Sequence, residues 1–211
     1  MFYASPLADI AKPARQFSME INGWDERYRS RARTTEDFSS EPTPLLAETV
    51  AALPAGKALD LACGTGRNAI WLASRGWQVT AVEGSSVAIH ILQNTAAQRG
   101  VTVATCIANL ETHEYPIKLS TWDVVAICYY LQRDLFEPAK RGVVPGGLLI
   151  SIVHITESGE EPTAHRLRPG ELAQYFNDWE ILRYREGAPR DAAHRRPVAE
   201  IVARRPAAGI P

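Results

Sequence analysis

Beyond residue 43 the apolar positions alternate between two periods. PLLAETVAAL (44–53) places Leu45, Leu46, Thr49 and Val50 on one helical face, and Pro54 ends it. KALDLA (57–62) is a near-continuous apolar run, which predicts a buried strand. RNAIWLASRG (67–76) predicts a helix closed by Gly76, and WQVTAVE (77–83) a second strand. The unit repeats: SSVAIHILQNTAAQRG (85–100) has a serine at the N-cap and Gly100 past its end, and VTVATCIAN (101–109) is strand three. WDVVAICYY (122–130) is strand four, LQRDLFEPAKRGV a helix interrupted near Pro138, and GLLISIVHI (147–155) strand five. A helix over RPGELAQYF (168–176) then precedes two strands, WEILRYREG and RPVAEIVAR, expected to pair as a hairpin at one edge.

Such alternation, with apolar strands, implies an α/β fold: a mostly parallel, doubly wound sheet covered on both faces, with an antiparallel C-terminal pair. The first forty residues differ. NGWDERYRS suggests a short helix with Trp24 and Tyr28 on one face, and RTTEDFSSEP reads as loop. The expected organisation is an N-terminal lid over 1–43, a single core domain over 44–206 and a tail at 207–211.

Composition narrows the partners. With 211 residues, 45% of them hydrophobic, one domain can bury a full core. A net charge of -1 gives no general pull toward nucleic acid or anionic lipid. The arginine-rich RYREGAPRDAAHRRP is interspersed with acids and reads as a solvated hairpin. Cys63, Cys106 and Cys128 lie far apart in apolar contexts, which fits reduced thiols in a cytoplasmic protein. MFYASPLADIAKPARQ lacks the pattern of a secretory leader, and no apolar window approaches the ~18 residues of a spanning helix. His90, His113, His165 and His194 have no partners at metal-ligand spacing, so no metal is expected and surface roles are assigned to them.

Strand one runs into Cys63-Gly64-Thr65-Gly66, at the carboxyl end of the sheet where α/β folds bind ligands. Glycines there allow positive φ and close approach, and the helix beginning near Arg67 offers free N–H groups and a positive dipole end to an anion. Gly64, Gly66 and Ala69 fit G-x-G-x-x-[GA], and Glu83 lies about 20 residues on, where a carboxylate takes ribose hydroxyls. This spacing alone admits a dinucleotide and therefore a nicotinamide-dependent oxidoreductase.

The neighbouring residues point elsewhere. LDLACGTG, with Asp60 in the strand before the turn, resembles the first motif of class I S-adenosylmethionine-dependent methyltransferases. VTAVEGSSVAI (79–89), WDVVAICYYL (122–131) and VPGGLLIS (144–151) resemble that family's later motifs, in its order. GWDERY, LDLACGTGRNAIWLA and YLQRDLF are most similar to small bacterial enzymes of the tellurite-resistance type and their thiol-methylating relatives.

The resemblance implies a seven-stranded sheet and S-adenosylmethionine as cofactor. Gly64 and Gly66 would admit its methionine part, Arg67 and Asn68 would meet the carboxylate, and carbonyls near Ala62, Cys63 or Cys128 the ammonium. Asp60 either accepts near that ammonium or fixes the loop. Glu83 would take the ribose diol; Gly84, Ser85, Asn109 and Leu110 would surround the adenine, and Tyr129, at the end of strand four, would contact the cofactor where it meets the acceptor pocket. Asn109 replaces the acid usual at that place, and a turn-forming role is open to it.

Methyl transfer is an in-line displacement on an activated donor, so positioning and desolvation dominate. The acceptor is expected to be a small molecule, a thiol or an oxyanion. Trp24, Tyr130 and Arg133 are expected in its pocket, with Tyr28 and His154 as the catalytic candidates, His154 as general base and Tyr28 facing the sulfonium. Loss of catalysis with retention of the cofactor site is the other alternative. A monomer or a homodimer fits the sequence equally.

Overall fold

A computed structural model describes residues 21, 23–30 and 41–207. Most of the RTTEDFSSEP segment, the first twenty residues and nearly all of the 207–211 tail lie outside the described residues. Helical residues 21 and 23–30 form α1. Then come α2 (Pro44–Val50), β1 (Lys57–Leu61), α3 (Arg67–Ser74), β2 (Gln78–Glu83), α4 (Ser86–Gln98), β3 (Ala104–Ile107) and β4 (Trp122–Cys128). A 3-10 turn over Arg133–Leu135 leads into α5 (Phe136–Gly142). The chain continues as β5 (Val143–His154), α6 (Glu171–Gln174), β6 (Glu180–Gly187) and β7 (Val198–Arg204).

The seven strands form one sheet in the order β3-β2-β1-β4-β5-β7-β6. β1 to β5 pair parallel; β7 pairs antiparallel with both β5 and β6. This is the expected fold, with one refinement. The hairpin's second strand, VAEIVAR, is buried between β5 and β6, while β6 takes the edge, which its charged sequence EILRYREG tolerates. Buried residues cover both faces: Leu59, Leu61, Val125, Ile127 and Leu149 meet Phe136 and Phe176 on one side, and Ala58, Val79, Ala81, Ile150 and Ile152 meet Leu45, Leu72 and Leu92 on the other.

Local chemistry explains where elements differ from the sequence pattern. Pro138 does not interrupt its helix: it falls in the first turn of α5, where a backbone N–H has no intrahelical partner. α6 spans four residues because Gly170, at φ +78°, precedes it and Tyr175 already closes it. Ser85 caps α4 as expected, its Oγ accepting the Ala88 N–H at 3.1 Å.

Gly66 caps α3 at φ +82°, and a Cβ there would stand 2.3 Å from Leu92 Cγ, a fully buried side chain of α4. This glycine therefore sets α3 against α4 rather than opening the turn to a ligand. Gly66→Ala combines a left-handed backbone for a residue with Cβ and an overpacked contact, an expected loss of about 3 kcal/mol. Urea unfolding measures it, and the loss should shrink in a Leu92→Ala background.

Candidate active site

The carboxyl ends of β1, β2 and β4 and the helix α1 enclose a cavity of about 500 Å³. Its floor is the turn after β1. Ala62 (φ +54°) and Gly64 (φ +55°) give that turn its tight path, and a Cβ on Gly64 would meet the Tyr28 hydroxyl at 3.0 Å. Here a glycine does keep space open at the cavity.

Glu83 ends β2 with both carboxylate oxygens engaged. Oε2 accepts the Gly64 N–H at 2.9 Å and Oε1 the Ser85 N–H at 3.0 Å, so this one side chain pins the turns after both β1 and β2. Burial raises its pKa, and these N–H donors oppose the rise.

Asp60 lies beneath the turn with 1% exposure. Its carboxyl is pushed up to about 7 by burial, against the pull of Arg67 and a hydrogen bond from the Ala69 backbone; among the described residues, Oδ2 has no hydrogen-bond partner. The Ala69 contact ties Asp60 to the first turn of α3, the loop-fixing geometry, and the orphaned oxygen is a buried acceptor a cation would satisfy. Cys63 and Cys128, both on the cavity wall, are protonated at neutral pH because burial drives the first thiol well above its usual value and the second to about 12. They are not nucleophiles in this setting.

Of the residues expected from the sequence, the structure brings Trp24, Tyr28, Ala62, Cys63, Gly64, Arg67, Glu83, Gly84, Asn109, Leu110, Cys128, Tyr129 and Tyr130 to the cavity wall. Asp60, Gly66, Asn68, Ser85, Arg133 and His154 are not on it. Asn68 is buried and accepts the Thr43 N–H at 2.9 Å, anchoring the start of α2; Thr43, assigned from sequence to the lid segment, is thereby wholly buried in the core. Ser85 turns its hydroxyl to the α4 cap and to Asp25 Oδ1. Arg133 points away from the cavity and holds Glu171 at 2.9 Å and the carbonyls of Thr163 and Arg166, stapling the β5–α6 connection. His154 sits behind the wall, its ring 5.7 Å from that of Tyr129 and 5.3 Å from that of His194, and burial lowers its pKa. Asn109 Oδ1 accepts the Glu111 N–H at 3.0 Å, the turn geometry open to it from sequence.

The wall also holds Ile21, Arg27, Thr65, Glu111, Ala193 and His194. Ile21 and Arg27 share a helical face with Trp24 and Tyr28, so helical spacing from Trp24 reaches them. Thr65 lies between the two glycines. Ala193 and His194 have no local signal: they come from the loop between β6 and β7, which folds back over the cavity. His194, assigned a surface role from sequence, is half-buried and stacks on Tyr129 with ring centroids 3.4 Å apart and planes 5° apart. The arginine-rich segment is likewise more than a solvated hairpin. Arg190 pairs with Glu48 at 2.7 Å and with the buried Glu200 at 3.3 Å, and Arg67 with Asp191 at 2.6 Å. α1 is docked by Asp25, which receives the Ser85 hydroxyl at the N-terminus of α4.

The family model described as tellurite resistance protein TehB matches residues 27–195. The chain belongs to the TehB family. Among curated proteins, it is 26% identical over 142 residues to a "Probable S-adenosyl-L-methionine-dependent methyltransferase TehB" of Haemophilus influenzae, a match covering 62% of this chain and 48% of that one. It is 28% identical over 148 residues to "Hemagglutinin 1" of Eikenella corrodens, covering 66% and 49%. The chain thus spans about half the length of the curated relatives it matches. The crystal structure of TehB from Haemophilus influenzae superposes with a TM-score of 0.65 at 21% identity, covering 86% of this chain and 67% of that one. The TehB family is the one that GWDERY, LDLACGTGRNAIWLA and YLQRDLF led us to expect, and the fold the one expected from the glycine, Glu83 and strand-four motifs. Among the described residues, no helix is long and apolar enough to cross a membrane.

Proposed function

We propose that this TehB-family chain transfers a methyl group from S-adenosylmethionine to a small-molecule acceptor, a thiol or an oxyanion. The observation that carries the reading is the joint geometry of Gly64 and Glu83: a positive-φ glycine open to the cavity, held by a half-buried carboxylate that faces the same space. The residues present suit this cofactor. Glu83 would accept the ribose hydroxyls; Arg67 and the first N–H groups of α3 would take the carboxylate. The Asp60 Oδ2, unpartnered among the described residues, would offer an acceptor beneath the turn for the ammonium, and Gly84, Asn109 and Leu110 would flank the adenine.

When bound, S-adenosylmethionine supplies an electrophilic methyl group on a sulfonium. The chain's part is alignment and exclusion of water. Trp24 and Tyr28, with ring centroids 6.0 Å apart on α1, roof the cavity with aromatic surface, which shields a sulfonium and attracts its charge. Tyr130, Arg27 and His194 extend the wall beyond the cofactor side. Arg27 and His194 suit an acceptor that carries negative charge. An acceptor that must first lose a proton finds His194 as the imidazole on the wall, with His154 behind it.

Titration calorimetry with S-adenosylhomocysteine, using NADH as the control ligand, tests the cofactor. Saturable binding of the first alone is expected; binding of NADH alone would replace this reading with the oxidoreductase one. Transfer of labelled methyl to a panel of small thiols and oxyanions, tellurite included, then tests the acceptor class. Failure across the panel by a protein that binds S-adenosylhomocysteine would leave a cofactor-binding module without transfer activity.

A further inference from the structure

Asp191 and Arg67 tie the loop between β6 and β7 to the glycine turn. Arg67, the first residue of α3, lines the cavity, and its Nη2 stands 2.6 Å from Asp191 Oδ2, with side-chain exposures of only 18% and 8%. Burial alone would raise the Asp191 carboxyl; the Arg67 guanidinium beside it overrides this and holds it below the usual range. Oδ1 accepts the Ala193 N–H at 3.0 Å, and the Asp191 carbonyl accepts the His194 N–H at 3.1 Å. Asp191 therefore shapes the tight turn that presents Ala193 and His194 to the cavity. The circuit closes through Tyr129: His194 stacks on its ring, and the Arg67 guanidinium lies 5.6 Å from the same ring's centroid.

We infer that Asp191 is a positioning residue for the acceptor side of the cavity, and that the cofactor's carboxylate competes with it for Arg67, coupling cofactor occupancy to the hold on loop 188–197. The inference rests on the methyltransferase reading above. A carboxylate attracted to the start of α3 meets a guanidinium that Asp191 already neutralises, and two carboxylates near one cation repel each other strongly in a poorly solvated site. Coupling of this kind is reciprocal: the affinity Asp191 takes from the cofactor equals the hold the cofactor takes from the loop. Loosening the wall once the donor is seated would admit the acceptor after the cofactor.

The test compares S-adenosylhomocysteine with 5′-methylthioadenosine, which carries the same nucleoside and thioether but neither the carboxylate nor the ammonium. Asp191→Asn retains an acceptor for the Ala193 N–H and removes the charge facing Arg67. It is expected to bind S-adenosylhomocysteine about fivefold more tightly, at the modest end of site-to-site coupling, with methylthioadenosine affinity unchanged. Asp191→Ala, which also loses the turn acceptor, should keep that gain while exposing the loop. In the unmodified protein, S-adenosylhomocysteine but not methylthioadenosine should speed tryptic cleavage after the exposed Arg195 severalfold. A merely structural role for Asp191 would weaken both ligands together. That outcome, or an S-adenosylhomocysteine affinity unchanged or lowered in Asp191→Asn, overturns the inference. An unmodified protein that binds neither ligand overturns the methyltransferase reading and the inference with it, whereas binding without the contrast overturns the inference alone.

Discussion

Asp60→Asn is expected to stabilise the protein at pH 8 by on the order of 4 kcal/mol relative to its parent. Asp60 is wholly buried, and burial lifts its carboxyl from the ordinary value of 3.8 to about 7. Between those two values the unfolded chain ionises while the folded one keeps its proton. The folded state then binds more protons, and stability falls as pH rises through that window. Above pH 7 both states are ionised and the whole penalty is present; below about pH 4 both are protonated and it disappears. Asparagine resembles the protonated acid, retains an acceptor for the Ala69 N–H and carries no charge to desolvate. Chemical denaturation at pH 5 and pH 8 measures the effect: the parent should lose stability between the two, and the variant should lose less. Equal slopes would mean that Asp60 is solvated or paired when ionised. An aspartate retained here at a cost in stability fits a ligand cation drawing on its unpartnered oxygen, since functional sites commonly hold groups that the empty fold would be better without.

The sheet was legible because its inner strands β1, β2 and β4 are short apolar runs closed by a glycine or a polar turn, and this pattern depends on neighbours in sequence. The turn chemistry was legible for the same reason: Ser85 caps α4, and Glu83 ends β2 beside Gly64. Which way each of these residues faces was not. Gly66 belongs to the same motif as Gly64 but has Leu92, from 26 positions on, where its Cβ would be. Ser85 stands next to the cavity in sequence but spends its hydroxyl on a helix end and on Asp25. The β6–β7 loop was least legible. Its position is set by Arg67–Asp191, Arg190–Glu48 and Arg190–Glu200, and the first two pairs join residues more than a hundred positions apart. In the sequence Arg190 looks like ordinary solvated charge, and nothing near Arg67 points to Asp191. That explains why His154, at the end of a strand, was the more visible histidine, although His194 is the one at the cavity.

Glu83→Ala should have the largest effect on ligand binding. A ribose diol hydrogen-bonded to a carboxylate contributes about 1.5–3 kcal/mol, so the affinity for S-adenosylhomocysteine is expected to fall roughly ten- to hundredfold. The substitution also strands the N–H groups of Gly64 and Ser85, which Glu83 now receives at 2.9 and 3.0 Å, at about 1–3 kcal/mol of stability for each group left unpaired. Glu83→Gln should fall between, because its single amide oxygen can accept one of these donors while its amide nitrogen opposes the other. Lost affinity alone does not separate a direct ribose contact from a distorted turn; a cycle with the ligand does. Adenosine and 2′,3′-dideoxyadenosine differ only in the hydroxyls Glu83 would hold. The parent should prefer adenosine, and Glu83→Ala should bind the two nearly alike. If both ligands weaken by the same factor and the preference survives, Glu83 acts through the turn it pins, and the ribose is held by another group.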